Sequence, residues 1–189
     1  MADKTPGHAA DQSPFIVQRD APILREKAKA VKPEDIGSAH LNKIIADMKT
    51  AVRSQKDGIA IAAPQIGESL KIFAVNGALL KQADKTYKGD GTDMVFINPE
   101  IVKRSREKKE VEEGCLSVRW LYGKVARSTR VTLKALDENG EKIERGASGL
   151  LAQIFQHETD HLAGTLFTDK AREIWEMSEE EKAGLQNKS

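Results

Sequence analysis

The clearest periodic stretch begins at Ser38. Leu41, Ile44, Ile45, Met48 and Val52 fall at i, i+3, i+4, i+7 and i+11, which is one face of a helix, and Ser38 is a good N-cap ahead of them. A second pattern predicts a helix from about Ser148 to about Ala163, with Gly164 as its stop. A third stretch, 169–182, is charged and amphipathic and predicts a C-terminal helix. Between the first two helices the period shortens. Segments 70–76, 94–97, 125–136 and 141–145 are short and often β-branched, and Asn139-Gly140 is a hairpin signal between the last two. Near the start, Phe15-Ile16-Val17 predicts an extended piece, followed by a helical turn over 23–31 that Pro33 and Gly37 punctuate. The polar, Gly-bearing stretch 81–93 predicts a surface excursion. Residues 1–14 offer nothing to pack and predict a flexible tail, which leaves one domain over 15–185. Strands and helices are segregated rather than alternating. The fold class expected is therefore α+β, with antiparallel or mixed sheets around a central helix, one helix before them and one after.

Composition narrows the function classes. The 189 residues suit one domain and can bury a core without staples. Thirty Lys+Arg against 29 Asp+Glu leave a net charge of +1, so no global field for nucleic acid or a membrane surface exists, and DNA is not an expected partner. Apolar runs stay far below the roughly 18 residues of a membrane span. Asp3 and Asp11 argue against a secretory signal or a transit peptide. The single cysteine, Cys115, has no internal disulfide partner.

The second helix contains His157-Glu158-Thr159-Asp160-His161. Histidines at i and i+4 leave one helix face together and can reach one ion, while the carboxylate of Glu158 can reach a water beside that ion as general base. Leu150 and Ile154 share that face, so hydrocarbon lines the ligand side. A catalytic site of this kind needs a third protein ligand. A histidine at 167 would make the pattern a metzincin, but Phe167 stands there. Glu173, Glu176 or Glu179 would suit a thermolysin-type protease. The other candidate is Cys115, 42 residues before His157, in Glu113-Gly114-Cys115-Leu116-Ser117, since a thiolate is a strong ligand for a divalent transition metal. A third stretch, Gly58-Ile59-Ala60-Ile61-Ala62-Ala63-Pro64-Gln65-Ile66-Gly67, has little bulk, and Gln65 can donate a hydrogen bond to an oxyanion.

Together, in this order and at these separations, the three stretches resemble peptide deformylase. The resemblance spans roughly residues 15 to 170 and includes Pro22-Ile23-Leu24-Arg25 and His161-Leu162-Ala163-Gly164. It implies Cys115, His157 and His161 as metal ligands, Glu158 as general acid and base, and the Gln65 amide with the Leu116 backbone N–H as oxyanion donors. It implies Fe²⁺ as the native metal, with Zn²⁺, Ni²⁺ or Co²⁺ able to replace it. The substrate, an N-formyl-methionyl nascent peptide, is expected as an added strand between Gly58, Ile59, Ala60 and Ile61 on one side and Glu113, Gly114, Cys115 and Leu116 on the other. Its methionine side chain would enter a pocket of Ile59, Leu150, Ile154 and the His157 ring. Asp160 is expected to pair with Arg127 and so to brace the ligand helix. The chain departs from the family pattern at Ala60, where Gly is usual, at Thr159, where an apolar residue is usual, and at Arg119-Trp120, where many members carry proline.

The activity implied is hydrolysis of the N-formyl group of new polypeptides, with release of formate, in the bacterial cytosol first and an organelle second. Two rival readings stand beside it. One is a zinc endopeptidase with a late glutamate as third ligand. The other is a non-enzymatic ribosome-associated factor, with Lys103-Arg104-Ser105-Arg106-Glu107-Lys108-Lys109 touching RNA phosphates, against the plainer expectation that this stretch is a solvated hairpin.

Overall fold

The computed structural model describes residues 15–186, so the tail expected over 1–14 lies outside the described residues. In chain order the elements are α1 (Ala39–Arg53), β1 (Ala60–Ala62), β2 (Ile72–Val75), α2 (Gly77–Ala83), β3 (Met94–Arg104), β4 (Lys108–Gly114), β5 (Leu121–Ser128), β6 (Arg130–Leu136), β7 (Lys142–Ser148), α3 (Gly149–Leu162), β8 (Ile174–Glu176) and α4 (Glu179–Gln186). They form two antiparallel sheets, one of order β1-β2-β3-β6-β7 and one of order β4-β5-β8. The α+β class, the central helix and the flanking helices are those expected.

The alternation of side chains along β2 shows how the larger sheet is buried on both faces. Ile72 and Ala74 pack with Leu41, Ile44, Ile45 and Met48 of α1. Phe73 and Val75 point the other way, with Leu151, Ile154 and Phe155 of α3. On that face Phe73, Phe96 and Phe155 make a ring cluster with centroids 4.8, 5.0 and 5.9 Å apart. A smaller core of Leu24, Val118, Val125, Leu166 and Phe167 lies against the second sheet. Helix α3 contacts strands of both sheets, and this central position presents its histidines to the seam between them. The helix stops at Gly164, which sits at φ +75°, where a Cβ would come within 2.6 Å of the Arg25 carbonyl oxygen.

Ser38 caps α1 as expected, accepting the Leu41 amide at 3.2 Å. The Asn139-Gly140 turn joins β6 to β7, with Gly140 at φ +82°. Other boundaries differ from expectation. The turn expected over 23–31 is only the 3-10 turn Pro22–Arg25; Lys29 beyond it bridges Leu70. Asn98 also holds this stretch, exchanging two 2.8 Å hydrogen bonds with the Val31 backbone. Segment 125–136 is two strands of different sheets, β5 and β6, and Thr129 separates them. The helix expected over 169–182 is the strand β8, paired to β5, followed by a helix that starts at Glu179. The basic stretch 103–109 is solvated but is no hairpin. Its two strands belong to different sheets, because β3 pairs with β6 while β4 pairs with β5. No described helix is long and apolar enough to cross a membrane.

Candidate active site

Strand β4 ends at Gly114 and delivers Cys115 to the histidine face of α3. Sγ of Cys115 and ring nitrogens of His157 and His161 all lie within 4.8 Å of one another. Sγ stands 3.1 Å from Nε2 of His161. The two imidazoles lie edge to face, with centroids 5.0 Å apart. Burial alone would push the Cys115 thiol up, but the two histidines outweigh it and hold the thiol down at about 5, the thiolate form a metal needs. Among the described residues, Oε2 of buried Glu158 and Nδ1 of buried His161 have no hydrogen-bond partner. A soft sulfur, two imidazoles and an unsatisfied carboxylate are a donor set that fits a divalent transition metal with water beside it.

Glu158 is buried, and desolvation raises its pKa, with His157 and His161 pulling the other way. Gln65 comes from the 3-10 turn Ala63–Ile66, where its Oε1 accepts the Ala62 amide at 2.8 Å. That bond aims Nε2 at the cluster, 3.1 Å from Ser117 Oγ and 3.5 Å from Cys115 Sγ. Leu116 is buried and follows the cysteine directly.

These groups open onto a cleft of about 230 Å³ between the two sheets. Ile59, Ala60, Gly114, Leu150 and Ile154 line it, together with Glu113, Leu116, His157 and Glu158. Two residues expected along the substrate do not line it. Gly58 packs on the end of α1, where a Cβ would sit 2.2 Å from the Val52 carbonyl oxygen. Ile61 turns its side chain into the α1 core and is fully buried. Neither therefore offers a side chain to the cleft.

The carboxylate of Glu113 is also committed elsewhere. It accepts two hydrogen bonds from Arg127, Nε to Oε1 at 2.6 Å and Nη2 to Oε2 at 2.8 Å. It faces Nδ1 of His157 at 2.9 Å. Arg127 reaches on to Asp160 at 2.6 Å, the contact expected from the sequence, and Lys170 closes on the other Asp160 oxygen at 2.6 Å. Burial would raise the Glu113 pKa, but Arg127 and His157 prevail and hold it at about 2. The chain His157, Glu113, Arg127, Asp160 thus leaves α3 at one histidine and returns to it three residues later, fixing the ring's orientation. Sequence reasoning foresaw the Arg127 and Asp160 pair but placed Glu113 among the substrate contacts and missed its position between Arg127 and His157.

Other contacts around the cleft had no signal in the sequence, although Arg119-Trp120 and Thr159 stood out there as departures from the family pattern. Arg119 donates to Asp57 at 2.5 and 2.8 Å and lies 4.6 Å over the Trp120 ring, joining the two banks at one end. Gln153 of α3 donates to the Glu112 carbonyl at 2.8 Å and ties the helix to β4. Thr159, polar where an apolar residue was expected, turns its hydroxyl back onto the Phe155 carbonyl at 2.7 Å. The late glutamates take no part in the cluster: Glu173 pairs with Lys124, and Glu176 and Glu179 with Lys182. The third donor beside the histidines is the cysteine.

The polypeptide deformylase family profile matches residues 14–176. A peptide deformylase of Pseudothermotoga lettingae is 42% identical over 148 residues, covering 78% of this chain and 77% of that protein. Peptide deformylase 1A, chloroplastic/mitochondrial, of Arabidopsis thaliana is 39% identical over 168 residues, covering 83% of this chain and 61% of that protein. The Met-Ala-Ser-bound crystal structure of a class I type b peptide deformylase from Acinetobacter baumannii superposes with a TM-score of 0.75 at 33% identity, covering 82% of this chain and 96% of that one.

Proposed function

The chain belongs to the polypeptide deformylase family, and we propose that in this hydrolase Cys115, His157 and His161 ligate one divalent metal ion, Fe²⁺ in the native enzyme. The enzyme removes the N-formyl group from the N-terminus of newly made polypeptides. The observation that carries the residue assignment is the convergence of one sulfur and two imidazoles within 4.8 Å, with the unpartnered Glu158 carboxylate beside them.

A divalent metal at this site supplies Lewis acidity toward the formyl oxygen and makes water a stronger acid. Glu158 takes the proton as water attacks the formyl carbon, then passes it to the departing amine. Desolvation raises the Glu158 pKa, which suits a group that must both accept and return a proton. Gln65 Nε2 and the Leu116 N–H donate to the oxygen as negative charge gathers on it, each contribution being about 3 kcal/mol. The peptide lies extended between β1 and β4. Each of these is the outer strand of its sheet, so each has an edge to offer. The methionine side chain enters the pocket of Ile59, Leu150, Ile154 and the His157 ring. The Glu113, Arg127 and Asp160 clamp holds that ring still.

The bacterial cytosol is the proposed compartment, and the domain is taken to run over 15–185. The test is formate release from a formyl-Met peptide, with and without a chelator, on wild type and Cys115→Ala. Wild type should lose activity to the chelator and regain it with Fe²⁺. Cys115→Ala should purify with little metal, because two ligands remain. Full metal content in that variant would refute the ligand set.

A further inference from the structure

Away from the cleft, a second groove of about 510 Å³ lies where β3, β6 and β7 meet the start of α3. Lys103, Arg104 and Arg130 line it, with Ser105, Thr132 and Ser148 between them. Arg106, Lys108 and Lys109 stand exposed on the adjoining corner between β3 and β4. Among the described residues, none of these six cations is paired with a carboxylate; Arg104 makes a neutral contact, 3.2 Å to Gln156. Glu107 is the one acid in the stretch, and it faces the Thr129 hydroxyl at 3.1 Å. Six cations and one acid give this corner +5, while the rest of the chain carries −4 within a total of +1. The near-neutral composition therefore conceals a polarised surface. Helix α4 opens on Glu179, Glu180 and Glu181 and would repel the same partner.

We propose that this groove docks the phosphodiester backbone of a folded RNA. Unpaired guanidinium and ammonium groups with hydroxyls between them suit phosphate oxygens. No aromatic ring lines the groove, so single-stranded bases have nothing to stack on, and a helical backbone is the form of RNA that fits. Recognition is then of charge and shape, without sequence preference. The choice of RNA over an acidic protein rests on the activity proposed above: the substrate is a chain still attached to, or just leaving, an RNA-rich particle. The geometry serves that use. Strand β4 runs from Lys108 at the corner to Gly114 at the cleft, about 20 Å at roughly 3.3 Å per residue. Helix α3 lies between groove and cleft, with Gln156 bonded to Arg104 while Gln153, Ile154 and His157 line the cleft. An enzyme held by the groove keeps its cleft free for the peptide.

The test uses the full-length, metal-loaded enzyme and a labelled RNA duplex of about 20 base pairs and arbitrary sequence, read by fluorescence anisotropy across a salt series. Lys103→Glu, Arg106→Glu and Lys108→Glu are combined in one variant, none of them touching the cleft. Wild type should bind, with affinity falling steeply with salt. The variant should bind at least about tenfold more weakly, with a log–log salt slope flatter by about 3, near 0.9 per cation. Arg130→Gln alone should weaken binding in the same direction by a smaller factor, which covers the case of a triple variant that folds poorly. Turnover of a short free formyl-Met peptide should stay within about twofold in both, so loss of docking and loss of catalysis are read apart. Undiminished RNA binding in the triple variant overturns the proposal. So does competition by poly-glutamate as effective as that of RNA at equal charge, which would make the partner an acidic polypeptide.

Discussion

The two ends of β4 carry charge under opposite conditions. At 108–110 the side chains Lys108, Lys109 and Glu110 stand in water, and their charge is screened and mobile. At the other end Glu113 is 3% exposed and keeps its charge inside the protein. Each of its oxygens meets a donor, and Arg127 in turn meets Asp160. A charge survives burial when every partner is supplied, and it then fixes geometry in a way that an exposed charge does not. The clamp orients the His157 imidazole. The corner presents a field.

The largest effect should come from breaking the buried end. Arg127→Met keeps the volume but leaves Glu113 buried without its cation and Asp160 with Lys170 alone, and it should destabilise the protein by about 3–5 kcal/mol in urea unfolding. Glu158 is the instructive opposite, a buried carboxylate with an oxygen left unpaired. Glu158→Ala should lose turnover by at least about 100-fold while retaining metal and stability. If metal and rate fell together, Glu158 would be a ligand or a structural group.

A smaller effect is expected from Glu113→Gln, which keeps the shape and removes the charge. Metal affinity should fall by about 10–100-fold as the His157 ring loses its carboxylate partner. The acid limb should change as well. The folded pKa of Glu113, about 2, lies below its ordinary value of 4.5, so its contribution is present above 4.5 and is lost as pH falls toward 2. The stability gap between wild type and Glu113→Gln should be widest above pH 4.5 and close on acidification. A gap that stayed constant down to pH 2 would mean that the clamp does not depend on the Glu113 charge.

The same contrast explains what the sequence made legible. Helices α1 and α3 announce themselves through periods that local physics enforces, and the His157 to His161 spacing carries its chemistry with it. Strand β4 reads Lys-Lys-Glu-Val-Glu-Glu-Gly, with charge on both faces and only Val111 as an apolar residue. It is a strand because β5 pairs with it along its whole length, and no local pattern reports that. Strand β8 is three exposed residues held to β5 in the same way, which is why a charged helix was expected there. The true start of α4 did leave a signal. Ser178 and Glu181 form a capping box, with Ser178 Oγ accepting the Glu181 amide at 3.3 Å and Glu181 Oε2 accepting the Ser178 amide at 2.8 Å. The Arg127 and Asp160 contact was foreseen from family resemblance. The place of Glu113 between Arg127 and His157 depends on β4 lying beside β5 under α3, and no motif spacing encodes that.

The smallest effect, and the one that sets the two ends of β4 apart most cleanly, concerns salt. Lys108 sits among Lys103, Arg104, Arg106 and Lys109, like charges on one exposed corner with no acid paired to any of them among the described residues. Repulsion between exposed charges acts within a Debye length, about 10 Å at 0.1 M salt and about 3 Å at 1 M. Lys108→Gln removes one repelling member and no packing, so it should leave stability unchanged or raise it by up to about 0.5 kcal/mol at low salt. That gain should vanish by about 1 M salt. The Arg127→Met loss should persist across the same series, because a buried pair is screened far less than an exposed one. Thermal melts of both variants at low and high salt make the measurement. A Lys108→Gln loss of more than about 1 kcal/mol would give that lysine a buried partner, and the corner would then be a second clamp rather than an exposed field.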